Sequence, residues 1–234
     1  MNEIYVYEGQ EYYTIGLFNL IRKLPIVPID NDIWIASDAE LVLSDTEFIS
    51  RAAQEIAETI KPLKPDIIIT PEAKSIALAY EISKNLNHKR FIVARKSIKG
   101  YMKEYITERV RSITTKEQQT LVLTLDDIKL IKNRKVCIFD DVVSTGGTIR
   151  ALENLVKKAE GKIVCKVSIW REGPWYKTND LLFFDILPIF VSKEFYDKII
   201  EKMQYFNYVG DNLLNISKIE TKSDSDNPNP SVIL

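Results

Sequence analysis

The stretch Val136–Thr148, VCIFDDVVSTGGT, decides how this 234-residue chain is read. Val136–Phe139 is a short apolar run without a polar face, as in strands covered by helices on both sides of a parallel sheet. From Thr148 to Ala159 apolar residues recur at helical spacing, and Gly161 closes the run. Between strand and helix stand Asp140 and Asp141, then Val142, Val143 and Ser144-Thr145-Gly146-Gly147. Open parallel sheets bind ligands beyond the carboxyl ends of their strands, where a loop turns into a helix. The acids and glycines occupy that edge.

Ser144–Thr148 has the composition of a phosphate cradle. Two glycines let the backbone curl until several N–H groups point inward. Hydroxyls add donors, and the start of the next helix adds partial positive charge. A side chain on Gly146 is expected to point into the cradle. The Walker pattern GxxxxGK[ST] is absent. Adjacent carboxylates repel each other, so the fold alone gives no reason to keep Asp140 and Asp141 together. Facing a sugar, they can accept hydrogen bonds from vicinal hydroxyls and help position a hydrated Mg²⁺.

Outward from this segment the pattern is of strands alternating with helices. Asp45 or Thr46 can cap a helix whose apolar stripe is Phe48, Ile49, Ala52, Ala53, Ile56, Ala57 and Ile60. Asp66–Thr70 and Arg90–Ala94 read as strands flanking a helix over Ser75–Leu86. Strands follow at Leu121–Leu125, Ile163–Trp170 and Leu181–Ile189, and an amphipathic helix at Lys193–Tyr205. Arg95–Gln119 lacks an apolar period and reads as a lid or disordered insertion. The expected fold is α/β, a doubly wound, mostly parallel sheet with a small β-rich N-terminal appendage or hood. The expected boundaries are 1–44 for the appendage, 45–190 for the core, 191–215 for a C-terminal helix and 216–234 for a loose tail.

Composition narrows the chemistry. Thirty-two basic against 33 acidic residues leave a net charge of −1, so no global field is available for nucleic acid or a membrane surface. Cys137 and Cys165 lie in apolar runs and are expected as buried thiols. The single histidine, His88, sits at a helix end, which excludes Ser-His-Asp and multi-histidine metal chemistry. No signal peptide and no apolar run of membrane-spanning length is seen, so the expected location is cytoplasmic.

Four apolar residues, two acids, two apolar residues and S-T-G-G-T resemble the phosphoribosyl diphosphate motif of type I phosphoribosyltransferases. The resemblance covers roughly residues 45 to 172. It implies that Asp140 and Asp141 bind the ribose hydroxyls and Mg²⁺, and that Val143, Ser144, Thr145, Gly146, Gly147 and Thr148 bind the 5-phosphate. Glu72-Ala73-Lys74-Ser75 stands where adenine phosphoribosyltransferases often have Glu-Ala-Arg-Gly. Arg95-Lys96-Ser97-Ile98-Lys99 resembles their R-K-x-x-K run, without the Leu-Pro that usually follows. Glu72, Ala73, Lys74, Arg95, Lys96 and Lys99 are therefore the expected diphosphate contacts. Asp140, Asp141, Lys96 and Glu104 are the expected catalytic group, with Glu108 a second candidate for proton exchange. Trp34, Ile35, Ala36 and Ser37, with Glu172–Tyr176, are where that subgroup would place the base.

The implied reaction displaces Mg-diphosphate from C1 of the ribose by a ring nitrogen of a base, with Ser97–Gln119 as the lid. Adenine is the first expectation, then a 6-oxopurine, then orotate or uracil. The resemblance also implies a homodimer. Two rivals from other classes are a phosphoribosyl diphosphate sensor that regulates without transferring, and a diphosphokinase, which would need tandem copies of the fold and an ATP loop.

Overall fold

The apolar runs on either side of the chain's middle lie next to each other, Ile67–Ile69 in parallel register with Val136–Ile138. The computed structural model describes residues 3–110 and 119–209. In chain order the elements are β1 (Ile4–Val6), β2 (Tyr12–Leu17), β3 (Leu20–Asp30), β4 (Ile33–Ala36), α1 (Ala39–Ser44), α2 (Thr46–Ile60), β5 (Ile67–Pro71), α3 (Ile76–Asn85) and β6 (Ile92–Ala94). Then come β7 (Tyr105–Val110), β8 (Gln119–Thr124), α4 (Leu125–Ile131), β9 (Lys135–Val143), α5 (Gly147–Lys158), β10 (Lys162–Glu172), β11 (Asp185–Leu187), β12 (Ile189–Val191) and α6 (Lys193–Val209).

The central sheet has the order β11-β10-β9-β5-β6, and every pairing in it is parallel. Its strands are buried on both faces, and their residues divide by parity. Ile68, Cys137 and Phe139 join the core against α2 and α3, while Ile67, Ile69, Val136 and Ile138 join the core against α5. This is the doubly wound α/β sheet that the sequence predicts.

The α2 stripe behaves as read. All seven of its residues are buried, and the Asp45 carboxylate caps the helix by accepting from the Phe48 amide at 2.9 Å. Phe48 lies flat against Trp170 of β10, ring centroids 5.7 Å apart. Phe48→Ala would cost about 4 kcal/mol through lost burial and the cavity left behind.

The hood is a second five-stranded sheet of order β1-β12-β4-β3-β2, and it packs Ile15, Leu24, Ile26 and Ala36 onto the α2 side of the core. Its strands come from both ends of the described chain. The run Leu181–Ile189, read as one strand, is two. Pro188 lacks an N–H to continue a ladder, and beyond it the chain leaves the central sheet and enters the hood between β1 and β4. The expected boundary at 190 therefore runs through β12, and the appendage of residues 1–44 also contains helix α1.

Three further departures have local causes. Arg95–Gln119 is not structureless: β7 pairs antiparallel with β8 in a hairpin that an Arg95–Val122 bridge joins to the end of β6 at the edge of the central sheet. Val110 is the only fully buried residue of β7, so no alternation marks it as a strand. Thr124 ends β8 and starts α4 through a capping box with Asp127, a helix that the sequence reading missed. Cys137 and Cys165, neighbours across β9 and β10 with Cα atoms 4.8 Å apart, are joined as a disulfide; their burial was expected, their pairing was not. His88 is half-buried beyond the end of α3, its Nε2 lying 2.9 Å from the Pro65 carbonyl. The tail from residue 216 and residues 111–118 of the expected lid lie outside the described residues. No helix among the described residues is long and apolar enough to cross a membrane.

Candidate active site

β9 is longer than its apolar run suggests. It carries Asp140 and Asp141 inside the strand and ends at Val143, and α5 begins at Gly147. Ser144, Thr145 and Gly146 form the link. Among the described residues, their three amides donate no hydrogen bond, and the first amides of α5 have no helical acceptor either. Gly146 is the helix N-cap with φ +76°, a left-handed geometry that glycine adopts without strain. A curled run of open amides at a helix start is an anion site.

One expectation about this link fails in an informative way. A Cβ on Gly146 would not point into the cradle. It would lie 2.3 Å from Cδ2 and Cε2 of the buried Tyr176 ring. Gly146 is needed because an aromatic ring backs the loop, as well as for its φ.

The loop after β5 brings the second group of residues to the same edge. A cavity of about 180 Å³ is lined by Glu72, Ala73, Lys74 and Ser75 from that loop, by Lys96, by Asp140, Asp141 and Val142 from β9, and by Thr148. Val110, Gln119 and Leu121 from the β7–β8 hairpin complete the wall. Seven residues expected at the site from three separate stretches of sequence thus meet in one cavity: Glu72, Ala73, Lys74, Lys96, Asp140, Asp141 and Thr148.

The acids do not face the cavity unpartnered. The Lys74 ammonium lies 2.6 Å from Asp141 Oδ2 and 2.6 Å from Oδ1 of Asp38, a buried residue just beyond the hood strand β4. The Ser75 hydroxyl lies 2.9 Å from Asp140 Oδ1 and 2.5 Å from Asp141 Oδ1, and accepts from the Asp141 amide at 3.1 Å. Glu72 lines the same cavity but has other partners. It accepts from Arg95 Nε at 3.1 Å and from the Lys96 amide at 2.8 Å, so it ties the β5 loop to the root of the hairpin. Arg95 is committed to Glu72 and to the Tyr101 hydroxyl.

These pairings set the charges. Burial pushes the Asp140 carboxyl well up, and repulsion from Asp141 adds to it. Burial works against charge on Asp141 too, but Lys74 and neighbouring hydrogen bonds outweigh it and hold Asp141 down at about 2. Asp38 is pushed up to about 7 by burial and by Asp141, with Lys74 opposing. Burial alone would lower the Lys74 ammonium, yet Asp141 and Asp38 raise it above the ordinary lysine value. The local balance is one firm carboxylate and one firm ammonium, with two acids that protonate readily beside them.

Other expected residues fall elsewhere. Glu104 is exposed and does not line the cavity; its carbonyl accepts from the Leu125 amide at 3.0 Å. Glu108 is 2.6 Å from Lys158 at the far end of α5. Lys99 is off the cavity and acts on Glu72 only through its charge. Trp34 stacks on Tyr7 with centroids 4.3 Å apart, which occupies a face a purine would need. Trp34 and Ile35 are paired to β3 on one side and β12 on the other, while Ala36 is paired to β3 alone. Glu172 is buried beside the cradle: burial raises its carboxyl, and a hydrogen bond with Ser144 opposes that rise.

The sequence reading missed Asp38 and the β9-facing hydroxyl of Ser75 altogether. It did not assign Tyr176 to the cradle. Only a buried acid shortly after a strand could have flagged Asp38.

The model of the phosphoribosyl transferase domain matches residues 46–187. Among curated relatives, an adenine phosphoribosyltransferase of Thermosipho africanus is 36% identical over 168 residues, 72% of this chain and 94% of that protein. One of Petrotoga mobilis is 31% identical over 170 residues, 71% of this chain and 94% of that protein. In solved structures, an adenine phosphoribosyltransferase of Thermoanaerobacter pseudethanolicus shares the fold at a TM-score of 0.58 and 20% identity, covering 70% of this chain and 95% of that one. The motif at the end of β9, the parallel sheet that presents it and the match across most of the core agree, and the chain belongs to the phosphoribosyltransferase family.

Proposed function

We propose that this protein transfers the 5-phosphoribosyl group of 5-phosphoribosyl 1-diphosphate to adenine, giving AMP and diphosphate. The observation that carries the reading is the run of open amides at Ser144–Gly146, between the end of β9, which carries Asp140 and Asp141, and the start of α5. The curated relatives' names supply the base. In this reading Val143–Thr148 hold the 5-phosphate, and Asp140 and Asp141 take the ribose hydroxyls once Lys74 has turned from Asp141 toward the diphosphate. Lys74 and Lys96, both on the cavity, then offset the negative charge that builds on the leaving group. The C1–oxygen bond to diphosphate breaks as the ring nitrogen bonds to C1, and the proton on that nitrogen passes to the leaving diphosphate or to water. Glu72 acts indirectly, by holding the hairpin root to the diphosphate loop and so helping to exclude water.

The donor set fits a magnesium ion that arrives with the substrate. Among the described residues no group of three or more His, Cys, Asp or Glu is placed to hold a metal on its own. Magnesium usually keeps its waters and takes one or two carboxylates with substrate phosphates, and Asp141 Oδ2 is a buried oxygen with no hydrogen-bond donor besides the ion-paired ammonium. When bound, the ion would offset charge on the diphosphate. A homodimer belongs to the same reading, supported by the family resemblance, and sedimentation as a monomer at micromolar concentration would remove it. The deciding experiment incubates the protein with Mg²⁺, phosphoribosyl diphosphate and a panel of bases. AMP from adenine is expected; another nucleotide would move the base assignment, and no nucleotide with any base would sink the transferase reading.

A further inference from the structure

We infer that Tyr176 is a positioning residue for the phosphate cradle: its ring is the wall on which Gly146 is seated, and Lys166 with Asp180 holds the ring there. The inference rests on reading Ser144–Thr148 as a phosphate cradle.

The steric observation comes first. Tyr176 is 4% exposed and belongs to the core cluster that includes Ile149, Leu152 and Leu155 of α5. Its Cδ2–Cε2 edge meets Gly146 so closely that even a methyl group there would be 2.3 Å away. The contact falls on the one cradle residue with positive φ. Glycine has more backbone freedom to lose than any other residue, so a loop centred on it stays shaped only if something else holds it.

The second observation is how the ring itself is held. The Tyr176 hydroxyl donates to Asp180 Oδ1 at 3.3 Å and lies 3.5 Å from Lys166 Nζ. Lys166, buried on β10, pairs with Glu153 of α5 and with Asp180. Burial alone would lower its pKa, but hydrogen bonds with Asp180 and Glu153 raise it above the usual lysine value. The Tyr176 carbonyl accepts from Arg171 Nη1 at 3.3 Å. A buried cation thus joins a sheet strand, the cradle's own helix and the turn that carries the ring.

Each of these groups is held by protein partners, so the inference gives them a positioning part and not a chemical one. They act by keeping three amides aimed before the anion arrives, which spares the site the cost of ordering its backbone on binding. Freeing one residue's backbone is worth roughly a tenfold change in an equilibrium.

The experiment measures ribose 5-phosphate affinity by calorimetry, and kcat and both KM values, for Tyr176→Ala, Tyr176→Leu and Tyr176→Phe, each with and without Gly146→Ala. Tyr176→Ala is expected to weaken ribose 5-phosphate about tenfold. The KM for phosphoribosyl diphosphate should rise in step, with kcat and the KM for the base nearly unchanged. Tyr176→Phe keeps the ring but loses the hydroxyl that Asp180 and Lys166 hold, so its affinity should fall between those of Tyr176→Ala and the unmodified protein; affinity equal to the unmodified protein's would remove Lys166 and Asp180 from the inference. Gly146→Ala alone should abolish measurable binding. In the Tyr176→Ala background it should cost only the strain of a left-handed alanine, about a further tenfold, so the two losses should not add. Tyr176→Leu, which keeps the core filled, decides the matter by the same criteria if the alanine variant does not fold. Wild-type affinity in Tyr176→Ala, additive losses, or a loss confined to the base KM would each overturn the inference while leaving the cradle reading intact. Failure of the unmodified protein to bind ribose 5-phosphate would overturn the cradle reading itself.

Discussion

Two loops at one sheet edge would, in the proposed reading, hold an anion in opposite ways. Ser144–Gly146 follows β9, carries no charge and leaves its amides open. Glu72–Ser75 follows β5, carries both signs of charge and leaves none of it unpaired: Glu72 holds the Arg95 side chain and the Lys96 amide, and Lys74 holds Asp38 and Asp141. Backbone dipoles fixed by a strand and a helix cannot fold onto one another. Long charged side chains can, and in an empty, partly buried site they do, because an unpaired buried charge is costly. The neutral loop is ready for its ligand, whereas the charged loop must exchange one set of partners for another.

The sharpest break in that contrast would come from the acids both loops share. Asp140→Asn with Asp141→Asn should lower turnover by about a hundredfold or more while ribose 5-phosphate still binds the cradle, because positioning is lost and the amides remain. Turnover near that of the unmodified protein would remove both residues from the mechanism. A loss of ribose 5-phosphate binding equal to the loss of turnover would erase the distinction between the loops.

Lys74→Met tests the claim that the charged loop is held by its own pairs. It leaves Asp38 and Asp141 as neighbouring buried acids. Because 41% of the Lys74 side chain is exposed, the cost is discounted from that of a fully buried pair, to about 2 kcal/mol. Thermal unfolding should show a midpoint lower by roughly 6 °C. An unchanged midpoint would mean that the pairs carry no weight.

The smallest effect is expected at Arg22, which reaches from the hood to Asp45 and Glu47 at the start of α2, 2.6 Å from each. Asp45→Asn keeps a side chain able to cap α2 but loses the charge. The Asp45 carboxyl sits below its ordinary range, chiefly through its hydrogen bond from Arg22. A depressed acid contributes stability above its unfolded pKa and loses it as pH falls through the folded value. The variant should therefore be slightly less stable at neutral pH, and the gap should close below about pH 4. A gap that persisted or widened in acid would show that something other than the charge is responsible.

What could be read in advance was local and periodic. The α2 stripe, the unbroken apolar runs of β5 and β9, and the step from Asp140 to Thr148 lie within short windows, where spacing determines burial and backbone chemistry determines the loop. What escaped depends on distance in sequence. Asp38 is a plain acid after a hood strand until the fold sets it against Lys74. Tyr176 is one aromatic in a turn until β10 returns beside β9 and presses it on Gly146. Glu108 looks free in a polar stretch, but β7 packs along α5 and gives it Lys158. Nothing in the apolar runs around Cys137 and Cys165 reveals that their register is shared.

The hood's strand order sets a timetable. Among the described residues β1 pairs with no strand but β12, and β12 fills the place between β1 and β4. While the protein is being made, its first residues leave the ribosome early and wait, one strand short, through the whole synthesis of the central sheet. Only when Ile189–Val191 emerges can the last gap be filled. The hood is thus completed by a strand made after all five strands of the central sheet.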